Sequence, residues 1–191
     1  MLTRSTMRKV WAVMALAAAC CPAGRAEASG YLLYDQSAEA MGRASAVSAG
    51  TREPAAIWAE YFERLTQAAA SGLFDFIGHA DLPKKFGCYP PPGCEALFPP
   101  FLEAARKADV AIELNTAGLR KDCREIYPSR SFLELARARG VPIVFGSDAH
   151  APAEVGLNFA EALALALEVG YTHACRFERR RRQTIALPST R

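Results

Sequence analysis

The chain reads as an α/β protein built on parallel strands, and three observations carry that reading. From Glu60 onward, helix-like and strand-like segments alternate, with glycine or proline at most of the joints. The strand-like segments are short, apolar and rich in β-branched or aromatic residues. Three of them end in polar residues suited to chemistry: His79/Asp81, Glu113/Asn115 and Asp148/His150. Such alternation is the pattern of βαβ units, whose functional groups gather at the C-terminal ends of the strands.

Taken in order, Glu60 to Ser71 carries Tyr61, Phe62, Leu65, Ala68 and Ala69 at helical spacing, with Gly72 as a stop. Leu73 to Gly78 is a short strand running into His79-Ala80-Asp81. A Lys-, Cys- and Pro-rich loop, Leu82 to Gly93, leads to a helix over Glu95 to Ala108. Val110 to Leu114 is the next strand, followed by a loop containing Asn115, Arg120 and Lys121. Ser129 precedes a helix from Ser131 to Arg139 that Gly140 stops. The strand 142–146 follows and delivers Asp148 and His150. Residues two apart on extended backbone face the same way, so this carboxylate and imidazole are expected to converge. Pro152 to Val169 reads as a helix and Tyr171 to Phe177 as a last short strand.

Composition bounds the partners. With 191 residues there is room for one ordinary domain and a leader, and a net charge of +3 says little. The run Arg176-Phe177-Glu178-Arg179-Arg180-Arg181-Arg182 lacks the aromatic or glycine interleaving of a nucleic-acid site. It reads as a solvated final strand or tail, and no nucleic-acid partner is expected. Six cysteines show no Cys-x-x-Cys pairing. Cys88 and Cys94 flank a Pro-rich loop and could bridge in an exported protein, but no cysteine is assigned a function.

The first segment has the order of a secretory signal: basic Arg4, Arg8 and Lys9, an apolar Val10 to Cys20, and Ala26-Glu27-Ala28 before Ser29. Residues 1–28 are therefore expected to be a signal peptide, and no transmembrane span is expected once it is removed. Residues 29–58 sustain no period and read as an irregular small-residue linker. Their string GYLLYDQSAEAMGRASAVSAGTREPAAIW resembles the mature N-terminus of the outer-membrane long-chain fatty-acid transporter family. The alternating strands of such a barrel do not follow. The remainder, 59–191, is expected to be a separate α/β part.

The three polar strand ends suggest a metal centre. Imidazole and carboxylate together bind zinc, iron or manganese and leave room for a water whose pKa falls toward neutrality. That water would be the nucleophile, with no catalytic side chain assigned. Lys84, Lys85 and Arg120 lie on loops after two of these strands, where cations can hold phosphate. Each residue also has a plainer role: His79 as a loop histidine, Glu113 and Asn115 as turn formers, Arg120 as partner of Asp122 or Glu125.

The strings SGLFDFIGHADLPKKFG, AIELNTAGLRKDCREIYPS and GVPIVFGSDAHAPAEVG resemble the C-terminal half of histidinol-phosphate phosphatases of the polymerase-and-histidinol-phosphatase (PHP) superfamily. The resemblance implies half of a distorted (β/α)7 barrel. It also implies metal-dependent hydrolysis of L-histidinol phosphate to histidinol and phosphate, in histidine biosynthesis. Carried over by position, His79, Asp148 and His150 are metal ligands and Arg120 is a phosphate ligand. Lys85, Asn115 and Glu113 line the substrate pocket.

That family's first half brings a His-x-His strand, and this chain has only three histidines, none so arranged. The metal site is therefore expected to be incomplete and the enzyme truncated and impaired. Half a barrel also leaves open strand edges, which favour self-association. The alternative function, of another class, is an exported envelope fragment with a non-catalytic α/β passenger. The leader implies the periplasm or envelope, whereas the phosphatase resemblance implies the cytoplasm.

Overall fold

The computed structural model describes residues 53–188. The expected signal peptide and most of the expected linker, residues 29–52, lie outside these residues. Nine helices and strands are described here in chain order: α1 Pro54–Ala70, β1 Phe76–Ile77, α2 Phe98–Lys107, β2 Ala111–Asn115, α3 Arg130–Ala138, β3 Ile143–Gly146, α4 Phe159–Val169, β4 His173–Glu178 and β5 Arg181–Ala186.

The first helix begins six residues earlier than its periodicity suggests. Proline is favoured in a helix's first turn, where its missing N–H is not needed, and Pro54 takes that place. Ile57 and Trp58 are buried on the same face as Phe62 and Ala69. The Trp58 ring stacks on Phe62 with centroids 6.0 Å apart, and its Nε1 donates to the Cys88 carbonyl at 3.1 Å. Phe62 in turn touches Phe98 at 5.1 Å, Phe101 at 5.9 Å and Phe132 at 6.1 Å. Pro54 to Trp58, expected to close an irregular linker, are thus the first turns of α1 and share one aromatic core with α2 and α3.

The strands form one five-stranded sheet in sequence order, parallel from β1 to β4, with β5 antiparallel to β4. Sequential parallel order is the connectivity of a barrel rather than of a doubly wound sheet. The sheet is curled into a half-barrel. Phe76 of β1 and Phe177 of β4 have ring centroids 5.8 Å apart, although two strands lie between them in the sheet. Along β2, Ile112 and Leu114 enter the two apolar cores under the helices, whereas Glu113 and Asn115 point to the opposite, inner face.

Several elements differ from expectation for local reasons. The strand before His79 pairs only at Phe76 and Ile77, against Ala111 and Ile112. The last long helix starts at Phe159, because Pro152–Glu154 form a short 3-10 turn and Gly156 (φ 73°) and Asn158 (φ 62°) interrupt the chain. The arginine run, expected as a final strand or a tail, is strand on both sides of a turn: it closes β4 and opens β5. Arg179 and Arg180, at φ 50° and 64°, form the two-residue turn of a β4–β5 hairpin, with Glu178 opposite Arg181. Positive φ at both central positions matches the right-handed strand twist but normally calls for Asn-Gly. Here Arg180 pairs with Asp75 at 3.3 Å and Arg182 with Asp109 at 2.6 Å, clasping the hairpin to the segments before β1 and β2. No described helix is long and apolar enough to cross a membrane.

Candidate metal and phosphate site

All three polar strand ends contribute to one group centred on His79. His79 follows β1 and Asp148 follows β3, and His79 Nε2 lies 3.2 Å from Asp148 Oδ2. Both residues adopt left-handed backbone, φ 54° and 49°. Such conformations are uncommon outside glycine and persist where surroundings impose them, often at functional sites. At His79 the carbonyl accepts from the Tyr61 hydroxyl of α1 and from Leu82 N at 3.1 Å. At Asp148 the guanidinium of Arg120 does the holding. Its Nη2 donates to the carbonyls of Ser147 at 2.8 Å and Asp148 at 3.3 Å, and lies 3.7 Å from Glu154.

The middle strand supplies the floor. Asn115 Nδ2 donates to Glu113 Oε2 at 2.9 Å and lies 3.4 Å from His79 Nε2, while its Oδ1 accepts from Ala117 N at 2.8 Å. His79 therefore stands between two carboxylates, with Asp148 at Nε2 and Glu113 Oε2 at 3.9 Å from Nδ1. The contact with His79 is the main reason the Asp148 carboxyl sits below the usual carboxylate range, with His150 and Lys85 adding positive potential.

His150 does not join this group. Because Asp148 is left-handed, residues 148–150 are not extended, and His150 Nδ1 stays 3.9 Å from Asp148 Oδ1, outside hydrogen-bond reach. The His150 Nδ1 lies 2.8 Å from the Asp148 carbonyl, an acceptor, which places the proton on Nδ1 and turns Nε2 outward. The side chain is 79% exposed. Its backbone N–H donates to Glu154 at 2.8 Å, a carboxylate that no strand end or motif singles out.

Nor does Asp81 belong to the rim. Its Oδ2 accepts from Lys84 Nζ at 2.7 Å and from Ser129 N, ahead of α3, at 2.7 Å. Lys84 is 2% exposed, donates also to Glu125 at 2.8 Å and to the Ile126 carbonyl at 3.0 Å, and lies over the Tyr127 ring. With one oxygen lacking any partner among the described residues, burial pushes the Asp81 carboxyl up to about 6 despite Lys84. Lys84 is thus a structural cation. Lys85, half-buried beside it, is the lysine whose charge reaches Asp148.

The donor chemistry suits a divalent ion only in part. Two ligands bound at about 2.0–2.1 Å to a tetrahedral ion lie roughly 3.3 Å apart, close to the His79–Asp148 separation of 3.2 Å. Among the described residues, however, no three His, Cys, Asp or Glu side chains close on one point.

Comparison with known proteins places this geometry in context. A family model described as PHP-associated matches residues 130–162. A probable histidinol-phosphatase of Deinococcus radiodurans is 44% identical over 119 residues, covering 62% of this chain and 45% of that protein. A probable histidinol-phosphatase of Schizosaccharomyces pombe is 34% identical over 67 residues, 35% of this chain and 22% of its own length. A crystal structure of a candidate histidinol phosphatase from Listeria monocytogenes aligns over 53% of this chain and 42% of its own, at 30% identity and a TM-score of 0.48. The chain spans less than half the length of the curated relatives it matches, and over that span it is similar to histidinol-phosphatases.

Proposed function

We propose that the α/β part acts on a phosphate monoester of the L-histidinol phosphate type, with a divalent ion held in part by His79 and Asp148. The observation that carries this reading is the 3.2 Å approach of two side chains 69 residues apart, at the ends of β1 and β3 on either side of β2, in a chain similar to histidinol-phosphatases. Nitrogen and oxygen donors of this kind accept zinc, iron or manganese alike. When bound, the ion would polarise the phosphoryl group and lower the pKa of a water.

The chain's own residues do the rest. Asp148 stays ionised beside His79, and Asn115 ties Glu113 to the inner face. Arg120 Nη1 is buried and has no partner among the described residues, so it is the donor left for a phosphate oxygen. Lys85 adds a second positive charge on the Asp148 side. Hydrolytic zinc sites use three protein ligands, and two converge among the described residues; turnover by this chain is therefore proposed to be slow.

The test is phosphate release from L-histidinol phosphate by the purified 191-residue chain, supplied in turn with zinc, iron and manganese. Slow release that a chelator stops, and that Asp148→Ala lowers at least tenfold, supports the reading. Release no faster than in the chelated control, with every metal, refutes it.

A further inference from the structure

We propose that Glu113 is a specificity-determining residue, receiving the cationic nitrogen of an amine-bearing phosphate monoester. The proposal rests on the phosphatase reading and adds the chemistry of the group carrying the phosphate.

The first argument is its seat. Gly78 and Gly146 stand beside Glu113 at the ends of the two neighbouring strands, and neither has positive φ. Backbone conformation does not demand glycine there; space does. A Cβ at Gly146 would lie 1.9 Å from Glu113 Oε1, and one at Gly78 would lie 2.8 Å from Oε2. The missing side chains are replaced by a carboxylate laid against the inner face of the sheet.

The second argument is charge. The Glu113 side chain is 14% exposed, yet among the described residues no lysine or arginine pairs with it. Its one ion-pairing contact is His79 Nδ1 at 3.9 Å, beyond hydrogen-bond reach. Asn115 satisfies Oε2, while Oε1 has no donor among the described residues. An enclosed carboxylate without a cation is costly, and a cationic ligand offsets that cost.

The third argument is polarity. Arg120 and Lys85 belong to the Asp148 side of His79, whereas Glu113 lies against the other ring nitrogen. A carboxylate repels phosphate, so the phosphate end of a ligand goes to the cations and its positive end to Glu113. A phosphorylated amino alcohol carries those two charges.

The experiment compares kcat/KM of the full chain for L-histidinol phosphate and for glycerol phosphate, in wild type and Glu113→Gln. The proposal expects the preference for the amine-bearing substrate to fall at least tenfold. Equal losses on both substrates would overturn it, since Glu113 would then act through His79. Binding of the product keeps the question independent of turnover and of the variant's folding. On wild-type protein, L-histidinol should bind at least tenfold more tightly than its deaminated analogue 3-(imidazol-4-yl)propan-1-ol, measured by ligand-observed NMR. Equal affinities sink the proposal, even in a protein that hydrolyses nothing.

Discussion

Two carboxylate contacts begin two residues apart on the loop after β1, one with a lysine and one with a histidine, and they have opposite characters. Asp81 meets Lys84 at 2.7 Å, both almost fully buried, with Ser129 and Glu125 completing the network. His79 meets Asp148 at 3.2 Å, about a quarter of each side chain remains exposed, and both backbones are left-handed. The first pair is closed by backbone and a permanent cation, so it has no capacity for a ligand. The second joins a carboxylate to a group whose proton can be exchanged for a metal ion, on a surface solvent reaches. Distance does not separate a structural ion pair from a site. Access and an exchangeable partner do.

Breaking each pair should therefore produce different losses. Lys84→Ala leaves a buried carboxylate without its cation, which costs about 3–5 kcal/mol. Urea denaturation followed by circular dichroism should show that loss. Asp148→Asn removes a partner whose side chain is about a quarter exposed and should change stability by less than about 1 kcal/mol. The same variant should lower affinity for zinc or manganese at least tenfold by calorimetry. If Asp148→Asn destabilises as much as Lys84→Ala, the distinction between the pairs fails.

A second contrast, smaller in effect, separates two glycines that both lack room for a Cβ. At Gly118 the added atom would lie 1.9 Å from the Glu125 backbone carbonyl and 2.8 Å from the Tyr127 ring. At Gly146 it would meet the flexible end of Glu113, also at 1.9 Å. Overpacking against fixed atoms costs about 1–3 kcal/mol, and a side chain that can swing away relieves it. Gly118→Ala should lower the unfolding midpoint more than Gly146→Ala. Gly146→Ala should instead displace the Glu113 carboxylate, read as altered ligand preference.

What the sequence made legible follows the same division. The parallel βαβ alternation, the helices that cover the sheet and the gathering of polar strand ends at one rim all follow from apolar periodicity and from polar residues at strand ends. Spacing carries no information on burial: Asp81, two residues from His79 on an irregular loop, turns inward to Lys84. Extended backbone would aim His150 beside the Asp148 carboxylate; with φ 49° at Asp148 the imidazole lies 3.9 Å from that carboxylate and bonds the Asp148 carbonyl instead. The β4–β5 hairpin was hidden because its turn is Arg179-Arg180, with no Asn or Gly to announce it. Likeness to another family groups Ile57 and Trp58 with the linker, whereas packing on Phe62 places them in α1.

The smallest effect tests the buried pair by pH. Burial raises the Asp81 carboxyl to about 6, above its ordinary value of 3.8. A group whose pKa is raised on folding binds its proton more tightly in the native state, so its contribution to stability is fully present below pH 3.8 and is lost as pH rises through about 6. Between pH 5 and pH 7, wild-type stability should therefore decline by an increment belonging to Asp81. Asp81→Asn, which cannot titrate, should lack that increment whatever its absolute stability. Urea midpoints at half-unit pH steps would measure both slopes. Parallel slopes would mean that Lys84 holds Asp81 ionised throughout, so that the cation and not the burial governs the pair. Asp148, held below the usual range by His79, has the opposite sign: its contribution is present at neutral pH and is lost only in strong acid, outside this window. The two pairs would then be told apart by the direction of their pH response as well as by its range.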